Sequence, residues 1–200
     1  MTDDELVTQA VELPNGELPV LQPREAAELP DMGEIKWAPI APYWSVLWRS
    51  GVALAAELEG ADLRGRRVVE LGCGLAVPSL AAARAGATVL ATDADPEALA
   101  LVERNADANG VAVETAVAEF YSPGELVDRG PFELALAADV LYLPSSIDPL
   151  LELLPRLAPE AWLADPGRAD AASFLGKAAK RWAIETSERG VVAIHKLRLR

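Results

Sequence analysis

Three acids and two glycines carry the chemistry that is legible first. The run Val68-Val69-Glu70-Leu71 leads into Gly72-Cys73-Gly74, and Leu90-Ala91-Thr92 leads into Asp93. A third apolar run, Phe132 to Ala138, ends in Asp139. Glycine at 72 and 74 lets the backbone approach a ligand where a Cβ would clash. Asp93 stands about 20 residues beyond that turn, the usual distance for a carboxylate that binds ribose hydroxyls. A dinucleotide fingerprint wants a third glycine three places after the second, and Val77 stands there. Glu70 beside a pyrophosphate would set like charges about 4 Å apart, costing about 4 kcal/mol at an effective dielectric near 20. The acids therefore point to a phosphate-free, cationic nucleoside.

S-adenosylmethionine is such a compound, since it carries an ammonium and a sulfonium and no phosphate. A plainer reading stands beside it, in which Glu70 and Asp93 cap strand ends and the glycines only turn the chain. Cys73 reads as a small spacer in that turn, not as a nucleophile.

The elements that must position these residues follow from pattern. Strand, glycine turn, helix from Pro78 to Gly86, and second strand make a unit of parallel strands joined by a crossover helix. Such sheets bind ligands at the carboxyl ends of their strands. Asp95 caps a further helix opened by Pro96 and closed by Gly110, with Leu99, Val102 and Ala106 on its buried stripe. Val111 to Val117 is a third strand. Phe132 to Asp139 is a fourth, apolar on both sides as a central parallel strand must be. Ser146 to Leu157 reads as a helix with Ser146 as its cap, and Ala161 to Ala164 as a fifth strand. A helix over 170–181 and a hairpin, Trp182 to Glu188 with Val191 to Leu199, close the sheet. His195 alternates with Val191, Ala193 and Leu197 on one strand face, a structural position rather than a catalytic one. Upstream, Leu6 to Leu13 and Glu17 to Leu21 flank Pro14-Asn15-Gly16, a hairpin signal. Residues 22–41 are a proline-rich connection, irregular or briefly helical. Trp44, Leu47, Trp48, Val52 and Ala55 fall at helical spacing.

Composition sets the bounds. The chain has 200 residues, 51% of them hydrophobic, enough for one globular domain. Its formal charge of −13 argues against a nucleic-acid surface and suits a basic substrate or simple solubility. One cysteine excludes an intramolecular disulfide and fits a reducing compartment. The acidic start Met1-Thr2-Asp3-Asp4-Glu5 is unlike a targeting peptide, and no apolar stretch is long enough to span a bilayer. The expectation is a cytoplasmic protein with no membrane partner and no bound metal.

Val69-Glu70-Leu71-Gly72-Cys73-Gly74 followed by Ala91-Thr92-Asp93 resembles the first two motifs of class I S-adenosylmethionine-dependent methyltransferases. Ala76 stands where that family usually has its third glycine. Pro42-Tyr43-Trp44 and Trp48 before the first strand, and Asp139-Val140-Leu141-Tyr142 after the fourth, resemble the lysine-directed protein methyltransferase branch. Asp165-Pro166-Gly167-Arg168 is similar to the subgroup of the electron-transfer flavoprotein β-subunit lysine methyltransferase. The resemblance implies a mostly parallel, Rossmann-like α/β sheet of seven strands in the order 3-2-1-4-5-7-6. It places a methyltransferase domain at 42–200 and an N-terminal hairpin and connection, packed on its core, at 1–41.

For the cofactor S-adenosylmethionine the resemblance implies contacts from Trp48, Glu70, Gly72, Gly74, Asp93, Glu119, Phe120 and Ala138. Trp48 and Phe120 read equally as core residues, and Trp44 reads as core. Asp139 would orient the acceptor amine and Tyr142 would wall the methyl group. Arg168 either orients a substrate carboxylate or pairs with Asp165. A protein lysine is the implied acceptor. A small amine, as in the nicotinamide and phenylethanolamine N-methyltransferases, and a non-catalytic scaffold that kept the fold are the competing readings. A nicotinamide dehydrogenase is a distant fourth.

Overall fold

The computed structural model describes residues 2–27 and 42–200. Strands β1 (Leu6–Leu13) and β2 (Gly16–Pro23) form the expected antiparallel hairpin, with Leu13 opposite Gly16 at the turn. A short helix α1 (Arg24–Ala27) follows. The rest of the proline-rich connection lies outside the described residues. The hairpin's inward side chains, Leu6, Val11, Leu13, Leu18 and Val20, pack with Ala55, Leu75, Val77, Leu80 and Leu101. Asn105 pins β2 from the side. Its Oδ1 accepts the Leu21 N–H at 2.6 Å and its Nδ2 donates to the Leu21 carbonyl at 3.1 Å.

Seven strands form the central sheet: β3 (Arg67–Leu71), β4 (Thr88–Asp93), β5 (Val113–Val117), β6 (Leu134–Ala138), β7 (Glu160–Asp165), β8 (Trp182–Arg189) and β9 (Val192–Leu199). Their order is β5-β4-β3-β6-β7-β9-β8, which is 3-2-1-4-5-7-6 when counted from β3. The first five run parallel and β9 is antiparallel to both neighbours. Alternate residues of the central strands feed two cores, as the pleat requires. Val69, Leu71, Ala135, Ala137 and Leu163 meet Leu150, Leu153, Leu154 and Phe174 on one face. Val68, Leu134, Leu136, Trp162 and Ala164 meet Leu54, Leu58 and Ala82 on the other. Being covered on both faces explains why β6 is apolar at every position.

The covering helices are α2 (Arg49–Leu58), α3 (Val77–Arg84), α4 (Pro96–Ala108), α5 (Gly124–Asp128), α6 (Ile147–Leu157) and α7 (Ala169–Ala178). Asp95 caps α4 as expected, its Oδ1 accepting the Glu97 N–H at 2.9 Å. The chain winds from β3 outward to β5, then returns to β6 on the other side of β3. That reversal falls at the carboxyl ends of β3 and β6, the place where open α/β sheets bind ligands.

Three expectations are corrected. The tryptophan segment is not helical: Tyr43–Ser45 is one 3₁₀ turn, Trp48 is extended at φ −76° and ψ 137°, and α2 starts at Arg49. Local bonds compete with the helix there. The Ser45 hydroxyl donates to the Pro42 carbonyl at 2.7 Å, and the Trp48 indole N–H donates to the Tyr43 carbonyl at 2.9 Å. Ser146 caps nothing with its side chain, because it already has helical angles at the end of the 3₁₀ turn Pro144–Ser146. The third strand starts at Val113, since the Val111 N–H is spent on the Ala106 carbonyl at 3.1 Å. His195 is buried and its Nδ1 lies 2.9 Å from the Thr186 hydroxyl, and burial holds its pKa below the ordinary value.

Candidate active site

The β3–α3 turn takes a left-handed backbone at three alternate positions: Gly72 at φ +63°, Gly74 at +51° and Ala76 at +58°. A Cβ on Gly74 would sit 2.9 Å from the Trp44 carbonyl oxygen. One on Gly72 would sit 3.1 Å from Val140 Cγ1 and 3.4 Å from Phe120 Cζ. The glycines thus let three distant segments close around the turn. Ala76 accepts the left-handed cost of roughly 1–2 kcal/mol, and its buried methyl returns part of it. Cys73 is buried, its N–H on the Thr92 carbonyl at 2.9 Å, and burial pushes its thiol pKa well above the usual value. It is a spacer.

The acids divide by surroundings. Glu70 is 1% exposed, and its Oε2 accepts both the backbone N–H of Ser79, at 2.9 Å, and the Ser79 hydroxyl. Burial, with a smaller contribution from nearby Asp93, pushes its pKa up to about 8 against the pull of both Ser79 bonds. At neutral pH this carboxyl is mostly protonated. Through these bonds it ties the end of β3 to the first turn of α3. Asp93 is half-buried at the tip of β4. Its Oδ2 accepts the Gly74 N–H at 2.9 Å and its Oδ1 the Asp95 N–H at 3.0 Å. Each oxygen keeps a second lone pair for a ligand hydroxyl.

Asp139 sits beyond the tip of β6 in a left-handed conformation, φ +59°. Its N–H donates to the Ala164 carbonyl at 3.0 Å, which fastens it to β7. Arg168 pairs with Asp139 and also with Asp165, the latter at 3.1 Å. Of the two alternatives drawn from sequence, pairing is what the structure holds, and it includes a second carboxylate that spacing did not reveal.

An aromatic row lines the same edge. Tyr43 stacks on Trp48 with ring centroids 6.4 Å apart and on Tyr142 at 6.0 Å. Tyr43 is 48% and Tyr142 53% exposed. Burial raises the Tyr142 hydroxyl pKa, with Asp93, Tyr121 and Tyr43 adding to it. Phe120 is half-buried against the Gly72 turn, Glu119 is exposed and Ala138 is half-buried at the end of β6. Trp44 packs with the hairpin core as expected, while its buried indole N–H has no partner among the described residues. Among the described residues no group of His, Cys, Asp and Glu is placed to hold a metal ion.

Residues 42–162, more than half of the chain, match the model of the lysine methyltransferase family, so the match covers the aromatic row, the turn and the tips of β3, β4 and β6. This chain belongs to the lysine methyltransferase family. Within the family it is 34% identical over 121 residues to protein N-lysine methyltransferase METTL21A of Danio rerio, covering 57% of this chain and 55% of that protein. It is 34% identical over 141 residues to the electron transfer flavoprotein beta subunit lysine methyltransferase of Xenopus laevis, covering 66% and 55%. The chain spans about half the length of the curated relatives it matches. Its fold is that of the T. thermophilus 16S rRNA methyltransferase RsmC in complex with AdoMet and guanosine, with TM-score 0.72, 15% identity and coverage of 98% and 51%. It is also that of the ribosomal protein L11 methylase from Lactobacillus delbrueckii subsp. bulgaricus, with TM-score 0.60, 21% identity and coverage of 76% and 79%.

The structure gathers Gly72, Gly74, Asp93, Asp139, Tyr142, Trp48, Phe120 and Ala138 along one carboxyl edge, with Glu119 just past the end of β5 and Glu70 beneath the turn. Sequence reasoning missed Tyr43 and Ser79. Tyr43 lay inside the Pro-Tyr-Trp segment singled out for its tryptophans. Ser79, third residue of α3, supplies the donors, a backbone N–H and a hydroxyl, for the acid near the end of β3.

Proposed function

We propose that this chain is an S-adenosylmethionine-dependent N-methyltransferase and that its acceptor is a protein lysine side chain. The observation that carries this reading is the meeting, at the carboxyl ends of β3 and β6, of Asp93 and the left-handed turn with Asp139 and the stacked Tyr43–Tyr142 pair. The donor set suits the cofactor: a turn of left-handed residues, carboxylates at Asp93 and Asp139, and one guanidinium already paired with acids. Gly72 and Gly74 offer close backbone to its amino-acid part, Asp93 takes the ribose hydroxyls, and Glu119 and Phe120 flank the adenine. Ala138 and Trp48 complete the walls, and Glu70 holds the turn from beneath. Bound there, S-adenosylmethionine supplies an activated methyl group with a good leaving group.

The chain's own work is to place an amine lone pair in line behind that carbon, an orientation effect. Asp139 accepts an N–H of the amine and fixes its direction. Tyr142 and Tyr43 flank the amine and its aliphatic stem, as aromatic faces do for cations. A lysine near pKa 10.4 is neutral in only about one molecule in a thousand at pH 7, so the site must let a proton leave. The exposed rim at Tyr43 and Tyr142 gives that proton a route to solvent and gives a protein substrate room to approach, which favours it over a small amine. A charge of −13 suits a basic partner and disfavours nucleic acid. Residues 42–200 form the catalytic unit, with the hairpin of β1 and β2 as an extension on its core, and the lone buried cysteine suits the cytoplasm.

The test is to incubate the protein with methyl-tritiated S-adenosylmethionine and a cell lysate, then fractionate. Label on lysine in a protein fraction is the expected result. Label only in small molecules would move the acceptor to a small amine. No label, with NADH binding in place of S-adenosylhomocysteine, would overturn the reading.

A further inference from the structure

Asp139 is one corner of a built cluster. Arg168 Nη1 donates to Asp139 Oδ1 and to Asp165 Oδ2. Asp165 is itself fixed, its Oδ1 accepting the N–H of Gly167 at 2.8 Å and of Arg168 at 2.6 Å. Its side chain is 2% exposed and that of Asp139 9%, so neither carboxylate is free to swing into water. β6 and β7 are paired up to Ala138 and Ala164, which brings the two acids side by side at adjoining strand ends. Two carboxylates share one guanidinium, and the cluster carries a net charge of −1.

We propose that Arg168 is a positioning residue for methyl transfer: it fixes the Asp139 carboxylate toward the acceptor and cancels one of the two acid charges that the incoming amine meets. This rests on the methyltransferase reading. An amine facing both carboxylates uncompensated would be held as ammonium, whose lone pair is occupied by a proton. An amine facing a single net charge is drawn in, yet gives up its proton more easily. A charge within about 4–6 Å moves such an equilibrium by about one pK unit or more, roughly tenfold. Arg168 therefore sets how strongly the edge prefers a positive charge at the acceptor position, an effect separate from holding the fold.

Sinefungin probes that preference without any acceptor, because it carries an amine-bearing carbon where the cofactor has its methylsulfonium. S-adenosylhomocysteine, neutral at the same point, reports an intact cofactor site. Calorimetric titration of both at pH 7 gives an affinity ratio for the wild type, Arg168→Gln and Asp139→Asn. Arg168→Gln is expected to raise the ratio of sinefungin to S-adenosylhomocysteine affinity about tenfold, and Asp139→Asn to lower it about tenfold. A ratio that stays at the wild-type value in Arg168→Gln, with S-adenosylhomocysteine binding intact, overturns the role of Arg168. If Arg168→Gln does not fold, an unchanged ratio in Asp139→Asn overturns it equally. Failure of the wild type to bind S-adenosylhomocysteine overturns the methyltransferase reading and this inference with it.

Discussion

Glu70→Gln removes a proton equilibrium from the centre of the molecule. Glu70 is fully buried with its pKa pushed from 4.5 to about 8, chiefly by loss of hydration. The folded state therefore holds this proton more tightly than the unfolded state, so folding takes up a proton anywhere between those two values. The resulting stability is full below about pH 4.5 and is lost as the pH rises toward 8. Each pH unit within the window is worth about 1.4 kcal/mol. Between pH 5 and 7.5 the wild type therefore loses about 3 kcal/mol through this one group. Glutamine stays neutral throughout and keeps an oxygen for the Ser79 N–H and hydroxyl. Urea unfolding of both proteins at the two pH values isolates the difference, because every other titrating group is common to them. The expected result is that Glu70→Gln gains about 3 kcal/mol on the wild type over that interval. A gap that does not change with pH, or a wild type that gains on the variant as pH rises, would refute the assignment of a neutral, buried carboxyl.

Gly74→Ala meets the Trp44 carbonyl oxygen at 2.9 Å from a left-handed position, so both φ and contact oppose it. Thermal unfolding should report a loss of about 2 kcal/mol or more. Ala76→Gly relieves left-handed strain but gives up a buried methyl and adds chain entropy, three effects of about 1 kcal/mol each. Its stability should stay within about 1 kcal/mol of wild type, and S-adenosylhomocysteine affinity by calorimetry should change less than about threefold. Asp139→Ala should lower label transfer from methyl-tritiated S-adenosylmethionine by about a hundredfold. Full turnover would remove Asp139 from the chemistry.

Most strands of the sheet were legible because β3, β4, β6 and β7 are short, largely apolar runs with an acid at or next to their ends, and because Asp95-Pro96 and Asn15-Gly16 are local signals with local causes. The order of the strands was implied by the family resemblance, not by these runs. The aromatic segment was misread for the opposite reason. Trp44 and Trp48 have helical spacing, but two short-range bonds, Ser45 to Pro42 and Trp48 to Tyr43, outcompete the helix. The places of Asp93 and Asp139 at strand ends could be read along the chain. The state of Glu70 could not, because its carboxyl answers to Ser79 and to burial on all sides, neither of which is visible along the chain. The Asp139–Arg168 pair lay equally out of reach, since it depends on how far a long side chain at the end of one strand extends across its neighbour.

The left-handed backbone at Asp139 limits what that position can become. Asparagine and glycine enter this region readily, whereas a glutamate or serine would bring the steric cost of the opposite hand. Of the two tolerated replacements, only asparagine still presents an oxygen at the strand tip. On the proposed reading, the least strained exchange at this edge that keeps an oxygen swaps a carboxylate for its amide, a change of charge with no change of shape.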